Sequence, residues 1–110
     1  MKKLIFLILV VFLSSTAFAA YDQALSLYQE KKYQDSLAIL AKDLTLAEDF
    51  KPGSPNYKIR YLAAHNHWKL GNLESASLHF RKCMAIDKTK VDPYIDLALM
   101  LTEKGKFREA

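Results

Sequence analysis

The stretch AHNHWKLGNLESA, residues 64–76, is repeated in outline 34 residues later by ALMLTEKGKFREA, residues 98–110. Alanine stands at both ends of each stretch, and a glycine lies between them, Gly71 in the first and Gly105 in the second. A fixed period of this length is typical of arrays whose unit is two short antiparallel helices, with glycine in the tight turn. One such unit cannot bury its apolar face alone, so the period predicts an all-α array of stacked helix hairpins whose function is binding.

The spacing resembles that of the tetratricopeptide repeat, which has small residues at two fixed positions, glycine in the turn and large apolar residues after it. Residues 57–90 and 91–110 fit this pattern, and residues 21–50 fit it more loosely, with Lys31 in place of the glycine. The resemblance implies a right-handed superhelical array of antiparallel helix hairpins with about two and a half repeats. The residues that carry it are Ala24, Tyr33, Ser36 and Leu40 in the first unit, Ala64, Gly71, Leu73, Ala76 and Phe80 in the second, and Ala98, Gly105, Phe107 and Ala110 in the third.

The third unit is truncated in this pattern, because Ala110 falls within the second helix of its hairpin. Arrays of this kind are normally closed by a capping helix. We therefore expect the sequence to be the front portion of a longer protein. A natural end, with a second copy or a partner over the open face, is the alternative.

Residues 1–19 have the features of a cleaved secretory signal. Lys2 and Lys3 precede ten unbroken apolar residues, 4–13, and a small-x-small pattern at residues 17–19 predicts cleavage between Ala19 and Ala20. A membrane anchor is the alternative, but this apolar segment is much shorter than the roughly 20 residues that a spanning helix needs. We therefore expect a periplasmic or secreted protein, with residues 20–110 as its repeat domain and no membrane span after cleavage.

The charge balance argues against nucleic acid as a partner. The whole chain carries 16 Lys and Arg against 12 Asp and Glu. Loss of Lys2 and Lys3 with the signal leaves 14 against 12, and these charges are interspersed along the chain. No basic stripe of the kind that binds a phosphate backbone is present. The oligomeric state is left open by the sequence.

Helix boundaries are predicted from hydrophobic spacing and from capping residues. We expect a first helix over residues 21–30 and a second over about 34–48, followed by a Pro/Gly-rich break at residues 49–55. Ser54 is expected to cap the third helix, with Pro55 in its first turn, and Asp92 and Pro93 repeat that arrangement at the fifth.

The sequence contains no constellation typical of catalysis, so we do not expect an enzyme, and no cofactor or metal is predicted. His65 and His67 lie two residues apart on a predicted helix and so point to different faces, which makes them a poor metal clamp. His79 is expected to be solvated. Cys83, the single cysteine, is expected to be a buried small apolar side chain.

The resemblance also predicts where a partner would bind. In tetratricopeptide repeats the first helix of each unit lines a concave groove, which binds an extended peptide or a partner helix. Whether Tyr61 and Trp68 line this groove or pack as core between repeats is left open. Carried over to this chain, the groove residues, called here the concave strip, are Tyr21, Leu25, Tyr28 and Gln29, then Lys58, Tyr61, His65, Trp68 and Lys69, then Asp92, Ile95, Leu99, Thr102 and Glu103.

Two functions agree with these expectations. The first is a non-catalytic interaction module or scaffold in the bacterial cell envelope, which binds a protein or peptide. The second is the targeting module of a longer enzyme or transport component whose catalytic part lies beyond residue 110. A clamp for a terminal carboxylate, which some family members use, is not expected, because Asp92 and Asp96 stand where cations are required.

Overall fold

The computed structural model of the protein describes residues 16–44, 51 and 53–109, with side chains for those between 20 and 105. This part of the chain is all α-helical, as the period predicts, and contains no strand. Most of the predicted signal, residues 1–15, lies outside the described residues. The helices are α1 (Thr16–Gln29), α2 (Tyr33–Asp43), α3 (Asn56–Lys69), α4 (Leu73–Ile86) and α5 (Asp92–Glu109).

Helices α1 and α2 form an antiparallel hairpin. The Tyr28 and Tyr33 rings meet beside the turn, with centroids 5.6 Å apart, and Ser36 Oγ donates to the Ala24 carbonyl one turn further from it, at 2.7 Å. Going away from the turn, successive contacts join earlier residues of α1 to later residues of α2. The two helices therefore run in opposite directions. Ala24 and Ser36 are both fully buried, so the small residues of the pattern lie where the two helices approach closely.

Helices α3 and α4 form a second antiparallel hairpin, as predicted. His67 stacks on His79 near the turn, whereas Cys83 Sγ contacts the Tyr57 carbonyl oxygen at the far end, at 3.4 Å. Gly71 lies in the turn with a φ of 82°, the left-handed region that glycine adopts without strain. Ala64 and Ala76, the small residues of this unit, are both fully buried.

The first helices of the hairpins run parallel to one another. Tyr28 contacts the His65 ring 37 residues later, and the Lys58 ammonium lies over Tyr21, again 37 residues away. From α3 to α5 the step is 35 residues, since Tyr61 hydrogen-bonds Asp96 and Trp68 hydrogen-bonds Glu103. A constant offset means that α1, α3 and α5 point the same way, side by side.

Two apolar clusters hold these layers together. One joins the first hairpin to α3 and is built around Leu40, Ile59 and Leu62. The other lies inside the second hairpin and reaches α5, with Phe80 and Met100 at its centre. Each cluster takes side chains from one hairpin and from a helix outside it, so neither hairpin buries its apolar face alone.

The predicted cap of α3 is confirmed in part. Ser54 Oγ accepts a hydrogen bond from the Asn56 amide at 3.0 Å, but Pro55 itself occupies the cap position, just before the helix rather than in its first turn. The serine still satisfies one of the amides that have no partner within the helix. Helix α5 begins at Asp92, and Pro93 lies in its first turn, as predicted.

Two boundaries differ by several residues from the predictions. Helix α1 begins at Thr16 rather than residue 21, because the small and apolar residues before Tyr21 continue its helical pattern. Helix α2 ends at Asp43, and Leu44 is extended, with a φ of −78° and a ψ of 119°. The remainder of the predicted second helix, residues 45–48, lies outside the described residues.

The prediction that Gly105 lies in a turn is wrong. Helix α5 continues through it to Glu109, and Ala98, expected at a close helix contact, is exposed. Glycine permits a left-handed turn but does not impose one. A turn gives up helical hydrogen bonds, and only a second helix packing back on the first offsets that loss. Within the described residues no such helix follows α5.

Candidate interaction surface

The concave strip begins at α1 with a cation over an aromatic ring. The Lys58 Nζ atom lies 4.5 Å from the centroid of the Tyr21 ring, a distance at which an ammonium is attracted to the ring face. Burial, reinforced by the nearby Asp22 charge, raises the pKa of the Tyr21 hydroxyl. Leu25, one turn further along α1, is half-buried against the first apolar cluster. This end of the strip is therefore partly occupied by the protein's own contacts.

His65 lies at the centre of the strip among four aromatic rings. The ring centroids of Tyr61, Phe80 and Trp68 lie 4.8, 5.4 and 5.7 Å from that of His65. Tyr28 of α1 approaches edge-on from the other side, at 6.3 Å. His65 thus joins the first hairpin to the second, and its Nε2 atom remains turned towards α5.

Asp96 of α5 receives two hydrogen bonds from α3. The Tyr61 hydroxyl donates to its Oδ2 atom, and His65 Nε2 lies 3.2 Å from the same oxygen. Burial and the hydrogen bond to Asp96 raise the pKa of Tyr61 well above its ordinary value, so the phenol keeps its proton and remains a donor. Since both contacts join α3 to α5, Asp96 fixes the position of α5 on this surface.

Trp68 has one side in the core and one at the surface. Its ring meets Phe80 edge-on, with centroids 6.3 Å apart, and packs against the second apolar cluster. The indole Nε1 atom donates to Glu103 Oε2 at 3.2 Å. Tyr61 belongs to the same cluster and is likewise half-buried. Both residues therefore pack between helices and also border the strip.

The α5 part of the strip is apolar and open. Ile95 is 53% exposed and Leu99 is 52% exposed, and they lie one helical turn apart. Asp92 at the start of α5 and Lys69 at the end of α3 are both exposed. Exposed large apolar side chains beside a row of aromatic rings form a surface that a partner could cover.

The structure brings together most of the residues predicted for the strip. Tyr21 and Lys58 meet at one end, and Tyr28, Tyr61, His65 and Trp68 form a continuous row. Asp96 and Glu103 hold that row against α5, and of the two Asp96 is absent from the predicted strip. Their signal in the sequence is the offset of 35 residues from Tyr61 and Trp68, but recognising it requires knowing that α3 and α5 lie side by side.

The other two histidines, His67 of α3 and His79 of α4, meet on the side of α3 opposite His65. His67 points away from His65, as predicted, and stacks on His79 with ring centroids 5.4 Å apart and planes within 11°. The prediction that His79 is solvated is wrong, because it is half-buried and its Nδ1 atom lies 3.2 Å from Arg60 Nη1. The packing of α4 against α3 turns His79 inward beside buried Arg60.

Cys83 is fully buried, as predicted. Its thiol contacts the Tyr57 carbonyl oxygen at 3.4 Å inside the second hairpin. Within the described residues, His, Cys, Asp and Glu nowhere form a group of three or more that could hold a metal ion. In the same part of the chain, every helix is too short or too polar to cross a bilayer.

Comparisons with models of known protein families, with curated proteins and with solved structures find no match to this chain. The surface itself is therefore the guide to function.

Proposed function

We propose that this chain is a non-catalytic interaction module, related to tetratricopeptide repeat proteins and located in the bacterial cell envelope. It binds a peptide or a partner helix along the concave strip. The observation that carries the proposal is the side-by-side arrangement of α1, α3 and α5. This arrangement joins two features into one surface. One is the exposed apolar pair on α5, and the other is the aromatic row of Tyr28, Tyr61, His65 and Trp68.

The chemistry of this surface suits a partner that presents apolar side chains at regular spacing. Aromatic rings that are already held in place provide contact area at low entropic cost, which is why they dominate binding energy at interfaces. Ile95 and Leu99 are spaced to meet apolar side chains at successive turns of a partner helix or along an extended peptide. The half-buried aromatic row therefore supplies rigidity, and the exposed Ile95 and Leu99 supply apolar area that a partner can cover.

The charges on the α5 side favour a partner with basic side chains. Asp92 and Glu103 are exposed, on either side of Ile95 and Leu99 along the helix. Asp96 is hydrogen-bonded by Tyr61 and His65, which hold its negative charge in place beneath the surface. A peptide ending in a free carboxylate beside α5 would meet this acidic edge, whereas a lysine or arginine would be attracted to it.

Two features support the tetratricopeptide-like arrangement. Both complete hairpins bury a small residue on each helix at matching places, Ala24 with Ser36 and Ala64 with Ala76. The parallel stacking of α1 on α3 and of α3 on α5 has the sense expected when hairpins follow one another in a superhelix.

Leu99 offers a sharper test of the strip than Trp68. Trp68→Ala is expected to weaken binding by about 2 kcal/mol, but Trp68 also packs on Phe80, so that variant changes the fold as well. Leu99 is 52% exposed, and Leu78 on α4 is 53% exposed outside the strip. Leu99→Asp and Leu78→Asp therefore form a matched pair.

The experiment selects peptides from a displayed random library on the purified chain, starting at Ala20, and measures their affinity by titration calorimetry. We expect enrichment of peptides with basic and apolar residues, and a loss of about thirtyfold or more in affinity for Leu99→Asp. Leu78→Asp should bind like the wild type. Equal losses in both variants, or failure to enrich any peptide, would contradict the proposal.

A further inference from the structure

His79 is arranged as a hydrogen-bond acceptor. Arginine is only a donor and stays charged, so Arg60 Nη1, 3.2 Å from His79 Nδ1, requires that nitrogen to carry no proton. This contact therefore belongs to a neutral imidazole with its remaining proton on Nε2. His67 Nδ1 lies 3.5 Å from Asn72 Nδ2 at an exposed contact, and its ring stacks on that of His79.

These two rings line an apolar crevice between the hairpins, with a volume of about 270 Å³. The rings stack nearly parallel on the α3 and α4 side of the crevice. A charge placed there would draw water into a surface that otherwise keeps α2 against the second hairpin. The remaining lining comes from α2 through Leu37, Leu40, Ala41 and Leu44, and from α3 through Ile59 and Ala63.

A buried cation stands beside the pair. Arg60 has only 4% of its surface exposed, and its guanidinium faces His79. Lys82 follows His79 by three residues, on the same side of α4. The side chains that α2 brings to the crevice are uncharged. An imidazolium at His79 would therefore face the like charge of Arg60.

We propose that the His67–His79 pair is an acid-sensitive joint between the two hairpins. Adding a proton to His79 Nδ1 removes its hydrogen bond from Arg60, and a proton on either ring places a positive charge on the apolar crevice and loosens α2 from α3 and α4.

The direction of the effect agrees with the surroundings of His67. Burial lowers the pKa of His67 below its ordinary value. The unfolded chain therefore takes up the proton at a higher pH than the folded chain does. The contribution of His67 to stability is complete above the ordinary pKa, about 6.5, and is lost as the pH falls through the lowered value of the folded state.

The test is amide hydrogen exchange of α2 in the whole chain, at about pH 5 and about pH 7.5, corrected for intrinsic exchange rates. Loss of protection at the lower pH, by about tenfold, is expected for the wild type. His67→Phe keeps an aromatic ring but cannot be protonated, so its loss should be smaller by about threefold or more.

An NMR titration of the His67 ring in the wild-type chain decides the matter even if His67→Phe folds poorly. The expected midpoint lies below that of histidine in an unstructured peptide. A midpoint at or above that value, or equal loss of α2 protection in the wild type and His67→Phe, would overturn the proposal.

Discussion

Lys31 and Gly71 occupy the same place in successive hairpin turns, and both have a left-handed backbone, with φ of 65° and 82°. The hydrogen bonds also match. Lys31 N donates to the Tyr28 carbonyl as Gly71 N donates to the Trp68 carbonyl, both at 3.0 Å. Both turns thus close their first helix with the same left-handed motif, which glycine adopts readily and lysine does not. The first turn is therefore strained where the second is not.

Lys31→Gly should stabilise the protein. The substitution removes the clash between Cβ and the backbone that a left-handed residue suffers, and this outweighs the greater freedom of glycine in the unfolded chain. We expect the free energy of unfolding to rise by about 1 kcal/mol, measured by urea denaturation. Gly71→Ala is the reciprocal control and should lower it by a similar amount, since no atom lies within 4 Å of the added Cβ and the cost is one of conformation alone. A loss of stability in Lys31→Gly would show that the lysine side chain stabilises the turn.

Ser36→Ala should destabilise the junction of α1, α2 and α3. Ser36 Oγ donates to the Ala24 carbonyl at 2.7 Å and accepts from Asn66 Nδ2 at 3.0 Å, and Ser36 and Asn66 are fully buried. Without the hydroxyl, a buried carbonyl and a buried amide each lose a hydrogen bond, which costs about 1–3 kcal/mol. Urea denaturation measures the loss. Ser26→Ala, at an exposed position on α1, should change stability by less than about 0.5 kcal/mol. Equal effects of the two substitutions would contradict the role of Ser36.

Tyr57 and Tyr61 should respond in opposite ways to loss of the hydroxyl. Their rings stack within 10° at 6.1 Å, but the Tyr61 hydroxyl donates to Asp96, whereas the buried Tyr57 hydroxyl has no hydrogen-bond partner among the described residues. Tyr61→Phe is expected to destabilise by about 1.5–3 kcal/mol, because it removes a bond to a charged acceptor. Tyr57→Phe should be neutral or stabilising by about 1 kcal/mol, since it removes a buried group without a partner. Thermal unfolding at neutral pH compares the two, and destabilisation of equal size would be the contrary result.

The stability of the protein at alkaline pH provides a second test of Tyr57. Burial, followed by the neighbouring Cys83 and acidic charges, raises the pKa of Tyr57 to about 12. The unfolded state, with an ordinary pKa of about 10, loses its proton first, so this contribution to stability is complete below pH 10 and is lost as the pH rises towards the folded value. Wild-type stability should therefore fall more steeply above about pH 10 than that of Tyr57→Phe. Identical slopes in thermal unfolding between about pH 9 and pH 11 would count against it.

The sequence predicted where helices approach closely and where they begin, but it missed individual polar contacts between helices. Small residues at a fixed spacing indicated close helix pairs, and Ser54 before Pro55 indicated a helix start. The inward position of His79 and the pairing of Asp96 with α3 depend on how helices pack in space. Lys31 shows a further limit. The sequence shows that the first turn lacks a glycine. It does not show that the turn keeps its left-handed form with Lys31 in that place.

Gly105→Ala distinguishes the observed helix from the turn that the repeat pattern predicts. Gly105 lies inside α5, and a Cβ added there would meet no atom within 4 Å. In a helix interior alanine is better than glycine by about 1 kcal/mol, so the substitution should raise stability and helical content in this chain. If Gly105 occupied a left-handed turn, alanine would instead lower stability by about 1 kcal/mol, as expected for Gly71→Ala. Circular dichroism and urea denaturation of the two glycine variants, measured together, should therefore give changes of opposite sign. Destabilisation by both would mean that α5 ends at Gly105 and that the third unit turns there, as the first two do at Lys31 and Gly71.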